Sequence, residues 1–225
     1  MEAQRIIITG GATRIGAAIA KKLSGPNKQI VIHYNRSKSK AENLKKKLKN
    51  YGTKIFLVKG DLGKEKDINK IVKFAKSKLK YFDCLINNAS IFENDKLGNF
   101  SSKSWEKHIS INLKAPALLS REFSKNTRGK NNVIINIIDQ RVFKLTPYFF
   151  SYTLSKTGLY TLTKTSAMSL APKIRVNGIA PGPTIKNKRQ SEKHFKSQYL
   201  ATPLKQQVDV IEICNAVDFF IKNSS

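Results

Sequence analysis

Acidic residues are scarce in this chain. Fifteen Asp and Glu stand against 42 Lys and Arg in 225 residues, a formal net charge of +27. Such an excess raises nucleic acid or an anionic membrane as a partner class. The kind of basic residue argues against a specific nucleic-acid role. Lysine outnumbers arginine about fourfold, whereas base-reading proteins favour the arginine fork. The lysines are spread over every expected helix, as in Lys45-Lys46-Lys47 and Lys76, Lys78 and Lys80, which reads as solvated helix faces. The expectation is no specific nucleic-acid partner, with salt-sensitive adhesion to polyanions.

Cysteine is nearly absent too. Cys84 and Cys214 are isolated, so neither a disulfide framework nor a metal site with cysteine spacing is expected. Cys84, in the apolar run Phe82 to Ile86, reads as a small core hydrophobe. No apolar run reaches eighteen residues, so no membrane span is expected. The first ten residues run into a strand pattern without signal-peptide anatomy, which fits the cytoplasm.

What is present is alternation. Apolar runs Ile6–Ile8, Gln29–His33, Ile55–Val58, Cys84–Ile86, Val133–Ile137 and Ile174–Asn177 read as strands. Between them lie helical patterns: one through Leu23, then Ser39–Lys49, Glu65–Leu79, Ser104–Ser124 and a helix ending near Leu170 before Ala171-Pro172. Ile211–Ile221 reads as a last helix. The pattern specifies one α/β domain over residues 1–225, a doubly wound Rossmann-type parallel sheet with helices on both faces. Thr184–Thr202 is polar, lacks clean periodicity and reads as a ligand-binding loop.

Three residues carry chemistry in one small stretch. Tyr152 and Lys156 are four apart on an expected helix, and therefore on one face. A lysine beside a phenol favours the phenolate, which is expected to lower the Tyr152 pKa towards neutrality. Asp139 lies thirteen residues upstream of Tyr152. The turn Thr9-Gly10-Gly11-Ala12-Thr13-Arg14-Ile15-Gly16 follows a strand and opens a helix, the context in which glycines let backbone approach a pyrophosphate. At the end of the second strand, His33-Tyr34-Asn35-Arg36-Ser37 offers a cation and a hydroxyl, Arg36 and Ser37, instead of the acid that favours NAD, which points to NADPH. Arg36 also reads as an ordinary surface charge.

These pieces resemble the short-chain dehydrogenase/reductase family, in order and spacing, over nearly the whole chain. Asp61-Leu62, Asn87-Asn88-Ala89-Ser90, Asn112 and Pro181-Gly182 complete the likeness. The resemblance implies roles. Gly10, Arg14, Ile15, Gly16, Tyr34, Arg36, Ser37, Asp61, Leu62, Asn87, Ala89, Pro181 and Gly182 would hold the cofactor. Tyr152 would donate a proton, Lys156 would bind the nicotinamide ribose, and Asn112 would hold a relay water. Arg14 replaces the usual middle glycine and Asp139 the usual catalytic serine. Both replacements resemble the pteridine reductase branch, including dihydromonapterin reductases, in which Ser90 and Phe92 would meet the pterin and Arg14 would bridge phosphate and substrate. Phe92 as plain packing and Asp139 as the mark of another substrate remain open. The resemblance further implies a homodimer or homotetramer, and a final strand of the family is expected to be missing after Ser225. The expected function is NADPH-dependent reduction of a dihydropteridine. A carbonyl or 3-oxoacyl reductase and a non-catalytic nucleotide-binding protein are the alternatives.

Overall fold

Six apolar runs become six parallel strands in the computed structural model, which describes residues 4–129, 131–187 and 190–223. They are β1 (Gln4–Ile8), β2 (Lys28–Tyr34), β3 (Lys54–Lys59), β4 (Cys84–Asn87), β5 (Asn132–Ile137) and β6 (Ile174–Ile179). Their order is β3-β2-β1-β4-β5-β6, with β1 paired to β2 on one side and to β4 on the other. The expected doubly wound sheet is therefore observed.

Alternate side chains feed two cores. Ile6, Ile8, Ile30, Ile32 and Ile135 bury one face under α1 (Arg14–Lys22), α2 (Lys38–Lys49) and α8 (Val210–Lys222). Ile7, Val31, Leu85 and Ile134 bury the other under α3 (Glu65–Leu79), α5 (Ala115–Ser124) and α6 (Phe150–Leu170). Burial on both faces explains why the strands read as continuous apolar runs.

Two expectations change. The single helix expected over Ser104–Ser124 is α4 (Ser102–Ile109), a π turn (Ser110–Lys114) and α5. Its cap is Ser101, whose hydroxyl accepts the Ser104 N–H at 3.1 Å. Pro116 has no N–H to donate to the Asn112 carbonyl four residues back, and its ring crowds that carbonyl. The ladder widens there, with the Ala115 N–H bonding Ser110 O. The expected Thr184–Thr202 loop holds a helix, α7 (Glu192–Leu200), capped by Ser191 through the His194 N–H at 3.1 Å. Its apolar periodicity is weak because among its residues only Phe195 is buried. No helix of the described residues is long and apolar enough to cross a membrane.

Candidate active site

The strand order reverses between β1 and β4, and the carboxyl ends of the strands open there into one cleft of about 840 Å³. The glycine turn forms its floor. Gly10 has φ +60°, and a Cβ on Gly16 would lie 2.4 Å from Gly10 O, so neither position admits a side chain without strain. Asn88 Nδ2 donates to Thr9 O at 2.9 Å and Gly10 O at 3.2 Å. His33 Nδ1 accepts the Gly10 N–H at 3.1 Å, and its Nε2 lies 3.1 Å from Gly60 O. Burial lowers the His33 pKa, which keeps the ring neutral and able to accept that bond. The first turn of α1 contains no acid and its cap residue Thr13 makes no side-chain cap bond. Free N–H groups at this helix start form an anion cradle, which fits a dinucleotide pyrophosphate.

Arg14 adopts φ +54° in the glycine's place. Its guanidinium donates to Ile185 O at 2.8 Å and Lys186 O at 2.9 Å. These two bonds tie the glycine turn to the segment after β6. Ile15, Gly16, Asp61, Leu62, Ala89, Pro181 and Gly182 also line the cleft. Tyr34, Arg36 and Ser37 do not, although their neighbour Asn35 does. Tyr34 is buried in β2, and Arg36 is exposed. Asn87 also lies outside the lining, donating to Asn136 Oδ1 at 2.8 Å beneath the sheet end.

The reacting end centres on α6. Tyr152 is 5 % exposed and Lys156 2 %. The Tyr152 hydroxyl donates to Asp139 Oδ2 at 2.6 Å, and Asp139 Oδ1 accepts the Arg141 N–H at 2.9 Å. Lys156 Nζ donates to Ile137 O at 2.8 Å and lies 5.9 Å from the Tyr152 ring centroid. The expected lowering of the Tyr152 pKa is not found. Burial raises it well above the ordinary value, and the Asp139 charge and hydrogen bond raise it further. Burial lowers the Lys156 pKa to about 8, against an opposing pull from Asp139.

Asn112 is fully buried. Its Oδ1 accepts from Ser90 Oγ at 3.1 Å and the Ile91 N–H at 2.9 Å, while Nδ2 donates to Ile91 O at 3.1 Å and Ser155 Oγ at 3.0 Å. Its side chain thus fixes the Ser90–Ile91 loop to α6, whereas Lys156 bonds Ile137 O. Phe92 stacks on Phe149 at 4.2 Å with 4° between planes, and meets Tyr152 edgewise at 4.6 Å. Ser90 and Phe92 therefore wall the cleft beside the phenol.

Residues given no separate role in the sequence reading complete the wall: His33, Arg141 and Lys144 line the cleft, and Phe149 backs Phe92. Arg141 and Lys144 follow Asp139 in a segment without periodicity, so their nearness to Asp139 in sequence was the one signal that could have found them.

A family model described as short chain dehydrogenase matches residues 4–196. The structure is similar to FolM alternative dihydrofolate reductase 1 from Brucella canis complexed with NADP, at TM-score 0.92 and 40% identity, covering 97% of this chain and 87% of that one. The Brucella suis counterpart, also in complex with NADP, matches at TM-score 0.92 and 39% identity, over 98% of this chain and 89% of that one. A 3-oxoacyl-[acyl-carrier-protein] reductase from Buchnera aphidicola subsp. Baizongia pistaciae is 30% identical over 97% of this chain and 90% of its own length.

Proposed function

The chain belongs to the short-chain dehydrogenase family, and from that premise we propose that it is an NADPH-dependent reductase of a dihydropteridine. The observation that carries this reading is the 2.6 Å bond from Tyr152 to Asp139 beside the Phe92 ring. A carboxylate there meets the donor-rich edge of a pterin, which a single serine hydroxyl cannot match. The two similar dihydrofolate reductase structures carry NADP, and the end of β2 has no acid to repel a 2′-phosphate.

NADPH, when bound, would supply a hydride from its nicotinamide C4 to the carbon of the substrate's C=N bond. Tyr152 gives the matching proton to the nitrogen. Its raised pKa keeps the phenol protonated at neutral pH, so it starts each turnover as an acid. Lys156, still cationic at pH 7 with a pKa of about 8, holds the nicotinamide ribose and returns a proton to Tyr152. Asn112 fixes the Ser90 loop and belongs to the relay by resemblance. Phe92 offers an aromatic face to the flat ring. The glycine turn and Arg14 would hold the pyrophosphate end, and Arg36 and Ser37 the 2′-phosphate. The same reading takes the chain as one catalytic domain working as a homodimer or homotetramer in the cytoplasm.

A 3-oxoacyl or other carbonyl reductase is the second reading, favoured by the 30% identical relative. Steady-state NADPH oxidation with a dihydropterin and with a 3-oxoacyl thioester separates them. The proposal expects turnover of the dihydropterin and little of the thioester, with Asp139→Ser reversing the order. Turnover of the thioester alone contradicts it.

A further inference from the structure

The mechanism above leaves two cations in the cleft without a role. Arg141 and Lys144 line it on the segment that joins Asp139 to α6. Each is fixed by a neutral group. Arg141 Nη1 donates to Thr146 Oγ1 at 2.9 Å, and its guanidinium carbon lies 4.5 Å from the Phe149 centroid and 5.7 Å from that of Phe92. Lys144 Nζ donates across the mouth to Ala201 O at 3.1 Å. Among the described residues neither makes an ion pair. Of the two acids in the cleft lining, Asp139 is committed to Tyr152, and Asp61 follows β3 on the other half of the sheet. Most lysines of this chain sit on solvated helices, where a lone charge is screened by water. These two are held in place at the substrate end by neutral groups, with no ion-pair partner among the described residues.

We infer that the substrate carries an anionic tail, a carboxylate or a phosphate, and that Arg141 and Lys144 bind it. The inference rests on the dihydropteridine reading for the ring, while the tail is read from the two cations. Fixed donors need little ordering on binding, and an arginine fork suits either anion. Arg141 on the aromatic wall places positive charge next to the ring site, with Lys144 farther out towards Ala201.

Three probes with one ring system test it: 7,8-dihydroneopterin, its monophosphate and 7,8-dihydrofolate. The expected result is a higher kcat/KM for one or both tailed probes, carried by KM, and the favoured probe tells phosphate from carboxylate. In Arg141→Gln/Lys144→Gln that preference falls about tenfold per cation. Arg141→Lys/Lys144→Arg retains most of it. Lys73→Gln/Lys76→Gln on the exposed side of α3 removes the same charge and leaves the preference in place. The inference is overturned by no preference in the unmodified protein, or by an equal loss in the α3 control, which would assign the effect to net charge. Turnover of neutral dihydroneopterin without tail preference sinks the tail alone. No turnover of any dihydropteridine sinks the proposed function and the tail with it.

Discussion

At the scale of single residues, the site is governed by one carboxylate and one buried ammonium. Asp139 holds the Tyr152 pKa up and also supports the charge on Lys156. Removing it in Asp139→Asn lowers both. The reductive kcat/KM profile, expected to fall on its alkaline side near the Lys156 pKa of about 8, should then fall at lower pH. An unmoved alkaline limb would show that Asp139 does not act on Lys156. The buried ammonium also costs stability. Its pKa drops from 10.5 to about 8 on folding, so the unfolded chain binds more protons between these values and stability rises with pH across that window. Below pH 8 the full penalty stands, about 3 kcal/mol, offset by about 1 kcal/mol from the Ile137 hydrogen bond. Lys156→Met should therefore abolish turnover yet stabilise the cofactor-free protein by about 2 kcal/mol at pH 7. Urea unfolding at pH 7 and above pH 10.5 checks this: at the higher pH the burial penalty is gone and the gain gives way to a loss of about 1 kcal/mol, the hydrogen bond to Ile137 O. The sequence displayed the lysine four residues from the tyrosine. It could not display their burial, or a carboxylate brought within 2.6 Å from the end of another strand, and these reverse the direction of the Tyr152 shift.

At the scale of elements, the start of α6 decides where Tyr152 points. Its cap residue Phe149 is left-handed at φ +59° and makes no side-chain cap bond. Capping comes from the segment after β4. Asn94 Oδ1 accepts the Phe149 N–H at 3.2 Å, Asp95 O the Phe150 N–H at 3.3 Å and Asp95 Oδ1 the Ser151 N–H at 3.0 Å. A carboxylate at a helix start also interacts favourably with the positive end of the helix dipole. Asp95→Ala should cost about 1 to 2 kcal/mol and lower kcat by loosening the residue next to Tyr152, with Asp95→Asn milder because Oδ1 remains. Thermal unfolding beside steady-state kinetics reads both effects. A kcat unchanged in Asp95→Ala would show that this cap does not position the phenol. None of this was visible in sequence, because capping between segments 56 residues apart has no local signature. α7 escaped for another reason: it exposes most of its length, so its apolar residues set no period. The π turn was in principle legible from Pro116 alone.

At the scale of the molecule, the sheet was the most legible feature, because strands buried on both faces leave unbroken apolar runs. The cleft was half legible. Motif residues on strand ends converge as expected, but Arg36, Ser37 and Tyr34 stay outside its lining, and Arg14 reaches the segment after β6. Net charge, the most visible number in the sequence, said least about the reaction until two of its cations were found fixed inside the cleft. The account stands on hydride transfer from NADPH to the C=N carbon of a dihydropteridine, with Tyr152 supplying the proton. The most direct measurement is product analysis after turnover with NADPH deuterated at C4. The account predicts a tetrahydropteridine carrying deuterium at C6, and none from Tyr152→Phe. Deuterium recovered only in a hydroxyl-bearing carbon of a ketone or 3-oxoacyl substrate, with the pteridine untouched, would contradict it.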